Sequence, residues 1–373
     1  MSNKKFIPVN EPLLTGNIKK YVMDCIKTNW ISSEGSYVKN FESKMAAQVS
    51  RKYAVAVSSG TAALDIAIES LELDKGSEVI VPSFTIISTI HQILRSGLIP
   101  KFVDVNLDDW NIKVEDIEPL INSNTKAILI VHTYGLPADI NSINKLAKKY
   151  NLKIIEDSAE VFGQTYKNKS CGSFGDISTF SFYSNKIVTT GEGGMVLTNN
   201  FKIYQKLLSL RNLCFQKNKR FIHENIGWNY RMTNIQGAIG ISQLETYKKN
   251  IKKRISIAKT YNEFFKNNKN LQLPLVSNSF AKNIYWVYGL IIKNRFNSSF
   301  IRKKLIEENI DTRPFFYPLH KQPVLKSFNI RNVSNLPNSE YLYKKGFYIP
   351  NSLNLKKETI KFIADKINEI TDS

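Results

Sequence analysis

A lysine stands just beyond a short apolar run in Thr179-Phe180-Ser181-Phe182-Tyr183-Ser184-Asn185-Lys186. That is an unusual place, because lysines mostly stay at the surface. Its primary amine could form an imine with an aldehyde and later act as a base. The glycines of Gly191-Glu192-Gly193-Gly194 let the chain turn sharply beside it. Two other segments carry chemistry that belongs with such an amine. Ile154-Ile155-Glu156-Asp157-Ser158-Ala159-Glu160 puts carboxylates at the C-terminal end of a strand. An acid there can pair with a protonated pyridine nitrogen and make the ring a better electron sink. Ser58-Ser59-Gly60-Thr61 lies between a strand and a helix, where helix N-terminal amides and a hydroxyl can hold phosphate. Taken singly, each also fits a plainer description: a loop lysine, an acidic helix cap, and a turn with an N-cap. Their occurrence together is what favours one site.

The elements that must position these residues follow from periodicity. Short β-rich runs at Tyr53–Val57, Glu78–Pro82, Lys101–Val105, Ala127–Val131, Lys153–Glu156, Thr179–Phe182 and Met195–Thr198 alternate with helical patterns such as Thr61–Leu71 and Ile140–Tyr150. Such alternation predicts an α/β domain whose largely parallel sheet is covered on both faces, with ligands at the C-terminal ends of the strands. Beyond about Arg254 the texture changes. A lysine-rich helix at Gln243–Phe265 leads to a strand at Tyr285–Ile292, a helix at Ser299–Glu308 and a last helix near Glu358–Ile370. The expected division is a large α/β domain over residues 1–245 and a smaller α+β domain over residues 246–373.

Composition narrows the classes of function. Hydrophobic residues make up 42% and charged residues 23% of 373, ordinary for a soluble globular protein. No apolar run approaches the roughly 20 residues of a membrane span, and MSNKKFIPVNEP lacks the apolar stretch of a signal peptide. A cytoplasmic protein with no membrane partner is expected. Cys25, Cys171 and Cys214 are far apart and odd in number, which argues against a disulfide framework. His91, His132, His223 and His320 show no metal-ligand spacing, so no metal is expected. The net charge of +20 is spread along the chain among Asn and Ile residues, and its densest runs, Lys248-Lys249 and Lys252-Lys253-Arg254, fall on a helix face. No nucleic-acid partner is expected, although the charge would help attract a phosphorylated substrate.

In this combination the chain resembles the sugar aminotransferases of the DegT/DnrJ/EryC1/StrS family, within the fold-type I pyridoxal-phosphate (PLP) enzymes. The likeness begins at Ile7-Pro8-Val9 and Trp30-Ile31-Ser32-Ser33 and runs through Ser59-Gly60-Thr61, Glu78–Pro82 and the Asp157 and Lys186 segments. It continues through Gly227-Trp228-Asn229-Tyr230-Arg231-Met232-Thr233-Asn234 to Arg313-Pro314 and Pro318-Leu319-His320. The resemblance implies that Lys186 is the Schiff-base lysine and Asp157 the partner of the pyridine nitrogen. Glu160 falls near the cofactor's phenolic oxygen, where relatives commonly carry Gln. Ser59, Gly60, Thr61 and Ser181 become the phosphate cup. Asn229 becomes the residue that reaches the phosphate from a neighbouring subunit, so a homodimer with shared active sites is implied. Ile86 replaces the aromatic residue that many relatives stack on the cofactor ring; it still packs on a ring face but lacks aromatic stacking worth about 0.5–1.5 kcal/mol.

Within the family, Trp30-Ile31-Ser32-Ser33-Glu34-Gly35, Glu160, and the segments from Ser184 to Gly194, Tyr230 to Ile235 and Thr312 to His320 most resemble enzymes that aminate the C4 ketone of GDP-4-keto-6-deoxymannose, giving GDP-perosamine. The resemblance implies L-glutamate as the donor, 2-oxoglutarate as the by-product and pyridoxamine phosphate as the form between the two halves. A dTDP- or UDP-linked 4-keto-6-deoxy sugar is the alternative substrate, and a PLP- or sugar-binding protein without turnover the alternative of another class. Related 3-dehydrases carry histidine where this chain has Lys186. Trp30, Ser32, Arg231, Arg313, Tyr317 and His320 are candidate substrate contacts. Packing is an equal reading for Trp30 and His320, and a structural ion pair for Arg313. The final glycan, an O-antigen, a capsule or another glycoconjugate, is left open.

Overall fold

The structure, a computed structural model, describes residues 6–216, 218–330 and 335–372. Two helices, α1 (Ile18–Lys27) and α2 (Ser36–Val49), precede an alternating series. The series runs β1 (Tyr53–Val57), α3 (Gly60–Glu69), β2 (Glu78–Pro82), α4 (Ser88–Arg95), β3 (Ile99–Val103), β4 (Thr125–Val131), α5 (Ile140–Tyr150) and β5 (Lys153–Asp157). A hairpin of β6 (Thr165–Tyr166) and β7 (Lys169–Ser170) follows, then β8 (Ile177–Ser181), β9 (Gly194–Thr198) and α6 (Phe201–Arg211).

Seven of these strands form one sheet in the order β1-β9-β8-β5-β4-β2-β3. All neighbouring pairs are parallel except those made by β9, which runs antiparallel to both β1 and β8. The mixed, mostly parallel sheet expected from the sequence is present, with a single reversed strand. Its central strands are apolar on both faces, with Val79, Ile80 and Val81 of β2 and Ile128, Leu129 and Ile130 of β4 all buried, because layers of side chains cover both sides. The shared direction brings the C-terminal ends of β1, β2, β4, β5 and β8 to one edge, where ligands collect in sheets of this kind.

Helix α7 (Asn234–Phe265) carries the chain to a second layer. A capping box starts it: Thr233 Oγ1 accepts from the Gln236 N–H at 3.2 Å, and Gln236 Oε1 accepts from the Thr233 N–H at 2.9 Å. Its first turns pack on α2 so closely that a Cβ on Gly240 would stand 2.7 Å from the Phe41 ring. Its last turns place Tyr261 and Phe265 against Tyr288. Tyr288 belongs to a second, antiparallel sheet built from β10 (Leu271–Gln272), β11 (Tyr288–Ile292), β12 (Arg313–Pro314) and β13 (Gly346–Ile349), in the order β10-β11-β13-β12. Helices α8 (Ser298–Glu307), α9 (Pro337–Lys345) and α10 (Lys357–Asp372) accompany it.

Several boundaries shift by a residue or two from the sequence reading, and three differences have a bearing on the architecture. The long helix starts at Asn234 rather than Gln243, and passes unbroken through position 245. The strand expected from Tyr285 starts at Tyr288, because Tyr285 takes a left-handed φ of 52° that no strand continues through. The third strand is Ile99–Val103, while Val105 makes only an isolated bridge to Ile112. Among the described residues, no helix is long and apolar enough to cross a membrane, and no group of three or more His, Cys, Asp or Glu side chains is arranged to hold a metal ion.

Candidate active site

A cavity of about 340 Å³ opens at the C-terminal edge of the large sheet and is closed from the other side by Trp286, Phe316 and Tyr348. Lys186 enters it from the segment after β8. That segment is pinned to itself: the Lys186 N–H donates to the Tyr183 carbonyl at 2.9 Å, and the Thr190 N–H and Thr189 Oγ1 both donate to the Phe182 carbonyl. The amine stands 3.7 Å from the centroid of the Trp286 ring. Burial pushes its pKa down, against the opposing pull of Glu160 and Asp157.

Asp157 is the last residue of β5 and is 4% exposed. Burial raises its carboxyl above the usual range, although the Ala159 N–H donates to Oδ1 at 3.0 Å and the Lys186 charge favours the ionised form. Glu160, one turn further, accepts from the Tyr134 N–H at 2.8 Å. It is pushed up to about 7, chiefly by burial and further by Asp157, with Lys186 and the Tyr134 N–H pulling the other way.

The opposite end of the cavity is an anion cradle. Ser59 caps α3, its Oγ accepting from the Ala62 N–H and its carbonyl from the Ala63 N–H, both at 3.0 Å. The N–H groups of Gly60 and Thr61 precede the first of these bonds and are free of intrahelical partners. Thr61 Oγ1 lies 2.8 Å from Ser88 Oγ, and Ser88 starts α4, so two helix N-termini converge here, and their dipoles favour negative charge. Gly60 sits directly over β8: a Cβ on it would come within 2.7 Å of the Ser181 Cβ. Gly60→Ala is therefore expected to lower stability by about 1–3 kcal/mol, the usual range for overpacking, read as a lower urea midpoint. Ile86 lines the mouth and is 49% exposed. Asn185 Oδ1 is buried in the lining without a hydrogen-bond partner.

Ser59, Gly60, Thr61, Ile86, Asp157, Glu160, Ser181 and Lys186 thus share one cavity. The remaining residues singled out in the sequence do not join them. Asn229, Arg231 and Ser32 line a separate cavity of about 900 Å³, where Arg231 Nη1 donates to Asn212 Oδ1. Trp30 is exposed, and its carbonyl accepts from Asn234 Nδ2 at 2.6 Å. Arg313 is ion-paired with Asp311. Tyr317 lines a third cavity of about 570 Å³ with Arg302, Lys321 and Lys344. His320 is buried as a tie between elements, with Nδ1 2.7 Å from Ser83 Oγ and Nε2 3.2 Å from Glu340 Oε1. Burial lowers its pKa despite Glu340. Sequence reasoning missed Ser88, Trp286 and Tyr348. Only Ser88, a hydroxyl at a helix start, left a local signal.

A cradle for an anion, a buried acid and a buried amine in one cavity fit a phosphorylated pyridine aldehyde. Comparison with known proteins agrees. The model of the DegT/DnrJ/EryC1/StrS aminotransferase family matches residues 12–368. GDP-perosamine synthase of Escherichia coli O157:H7 is 41% identical over 368 residues, 98% of this chain and 98% of that protein. Among solved structures, Helicobacter pylori PseC, an aminotransferase of pseudoaminic acid biosynthesis, superposes with a TM-score of 0.93 at 28% identity, covering 99% of this chain and 100% of that one. Escherichia coli GDP-4-keto-6-deoxy-D-mannose-3-dehydratase with bound hydrated PLP gives 0.89, also at 28% identity, covering 97% and 100%.

Proposed function

The chain belongs to the DegT/DnrJ/EryC1/StrS aminotransferase family, and we propose that it moves the amino group of L-glutamate to C4 of GDP-4-keto-6-deoxymannose, releasing 2-oxoglutarate and GDP-perosamine. The observation that carries amino transfer is the meeting of Lys186, Asp157 and the α3 cradle in one cavity. The choice of a GDP sugar is supported by the identity with GDP-perosamine synthase over nearly all of both chains.

Pyridoxal phosphate, when bound, supplies an aldehyde that takes up the donor's amino group and a ring that stores the electron pair left when a carbon loses its proton. The protein does the rest. The N–H groups of Gly60 and Thr61, with the hydroxyls of Ser59, Thr61 and Ser181, would hold the phosphate. Asp157 would hold a proton on the ring nitrogen. Lys186 Nζ would carry the proton, taking one from the donor's α-carbon in the first half of the reaction and delivering one to the sugar's C4 in the second. Ile86 would pack on a ring face, and Trp286, Phe316 and Tyr348 would exclude water. Asn229 lies in the other cavity, which accords with a homodimer in which each copy offers Asn229 to its partner's phosphate. Three buried free thiols accord with a reducing cytoplasm.

Incubation with L-glutamate and GDP-4-keto-6-deoxymannose, followed by mass spectrometry, should give GDP-perosamine and 2-oxoglutarate in equal amounts. Product from a dTDP- or UDP-linked keto sugar alone would overturn the nucleotide assignment. Glu160 supplies a second check. Folded Glu160 keeps its proton up to about pH 7, whereas an unperturbed glutamate releases it near 4.5. The folded state binds the extra proton, so its stability falls as pH rises from 4.5 through 7. Glu160→Gln is expected to remove that decline, read as urea midpoints across the same pH window in the cofactor-free protein.

A further inference from the structure

If Lys186 carries protons as proposed above, its amine must be held in one place whenever it is free. The Trp286 indole provides that place. Lys186 Nζ lies 3.7 Å from the centroid of the ring, while the indole Nε1–H donates to the carbonyl of Asn185, the preceding residue, at 2.9 Å. One ring thus grips the backbone beside Lys186 and faces its amine. Trp286 is itself immobilised. It is 4% exposed, its carbonyl accepts from Nη1 of the buried Arg254 on α7 at 2.7 Å, and its ring packs against Tyr134 at 5.8 Å between centroids. Tyr134 is the residue whose N–H holds Glu160.

We propose that Trp286 is a positioning residue of the amino-transfer reaction, whose indole face holds the free Lys186 amine at the cavity wall and stabilises its protonated form. The inference rests on the reading of Lys186 as the proton carrier. Aromatic faces attract ammonium groups through the ring quadrupole, indole most strongly, and more so where water is excluded. The charged groups that face Lys186 are Asp157 at the end of β5 and Glu160 in the turn after it; both favour the protonated amine, while burial opposes it. Tyr348 of β13 also lines the cavity. The indole acts on the same side as the two carboxylates. It also has a property they lack, because its position is fixed by a bond to the chain adjacent to the lysine.

The test uses the full-length protein stripped of cofactor. Competitive acetylation across pH, with mass spectrometry of the peptide carrying Lys186, reads the titration of that amine. Trp286→Leu is expected to lower its pKa by about one, and Trp286→Phe, which keeps an aromatic face, by clearly less. In the loaded enzyme, Trp286→Leu is expected to slow the glutamate half-reaction about tenfold with KM for glutamate unchanged, and Trp286→Phe to recover most of the rate. An unshifted Lys186 titration in folded Trp286→Leu, or a Phe variant as impaired as the Leu variant, overturns the proposal. Should Trp286→Leu fail to fold, Lys186→Met tests the same contact from the other side. Removing the amine must then change the pH dependence of Trp286 fluorescence, isolated by subtracting Trp286→Phe, and no change overturns the proposal. A wild-type protein that takes up no PLP would sink the aminotransferase reading, yet leave the acetylation result, obtained without cofactor, to stand or fall alone.

Discussion

Lys186→Ala is expected to lower amino transfer from glutamate by at least about 10²–10⁴-fold, the range a positioned general base contributes. The expectation rests on how little else in the cavity could do its work. Asp157 and Glu160 are the other titratable groups set beside it. Asp157 is bonded to the Ala159 N–H and Glu160 to the Tyr134 N–H, and both carboxyls are raised by burial. Neither carboxyl can supply the primary amine that would join the cofactor's aldehyde, and each is already tied to a backbone N–H. The substitution removes a side chain that faces a cavity, so the fold should survive it. Single-turnover production of 2-oxoglutarate from glutamate measures the loss, and unchanged circular dichroism shows that it is chemical. Lys186→Arg should be nearly as inactive, because a guanidinium stays protonated in proteins and offers no lone pair to take up a proton. A Lys186→Ala enzyme within tenfold of wild type would move the proton-carrying role to another residue.

The parts of this site that the sequence displays are those fixed by local geometry. Asp157, Ser181 and the Ser59-Gly60-Thr61 turn each sit where a strand ends, and a parallel sheet brings such ends together whatever else the chain does. Lys186 was visible because a lysine so near a buried strand is uncommon. Trp286 and Tyr348 left no such trace. Tyr348 reaches the cavity from the second sheet and Trp286 from the segment leading into it, across a contact that no spacing records, and Tyr285-Trp286-Val287 reads as strand until the left-handed backbone at Tyr285 is seen. The early turns of α7 were hidden for a different reason. Gly237 and Gly240 look like helix breakers, and their lack of side chains is what lets the helix lie against α2. Asn229, Arg231 and Ser32 were assigned by resemblance alone, and within one chain they line a cavity apart from Lys186.

Glu156→Ala is expected to destabilise the fold by about 3–5 kcal/mol, the usual effect of removing one partner from a buried charged pair. Glu156 precedes Asp157 in β5 and points to the other face of the sheet, as alternation in a strand requires. It is fully buried. Its Oε1 lies 3.0 Å from His132 Nε2 and accepts from the Gly172 N–H, while its Oε2 accepts from the N–H groups of Phe174 at 2.9 Å and Gly175 at 3.2 Å. Arg51 stands 3.9 Å away and donates to the Gly172 and Gly175 carbonyls. His132 Nδ1 accepts from the Ala138 N–H at 3.1 Å, which assigns the ring proton to Nε2 and makes it a donor to Glu156. Burial alone would raise the carboxyl, but the His132 interaction and the Gly172 and Phe174 N–H groups together hold it below its ordinary value. Its stabilising contribution is therefore complete above pH 4.5, the ordinary glutamate value, and is lost as pH falls through the lower folded-state value. Urea midpoints measured downward from pH 7 should show wild type losing stability in that acid window, and Glu156→Ala starting lower with a flatter decline. The variant also tests what holds the end of β5 in place. If its folded fraction still transfers amino groups at the wild-type rate, then Asp157 is positioned by the sheet itself. A loss of rate beyond the loss of folded protein would show that the network behind the strand sets the acid in front of it.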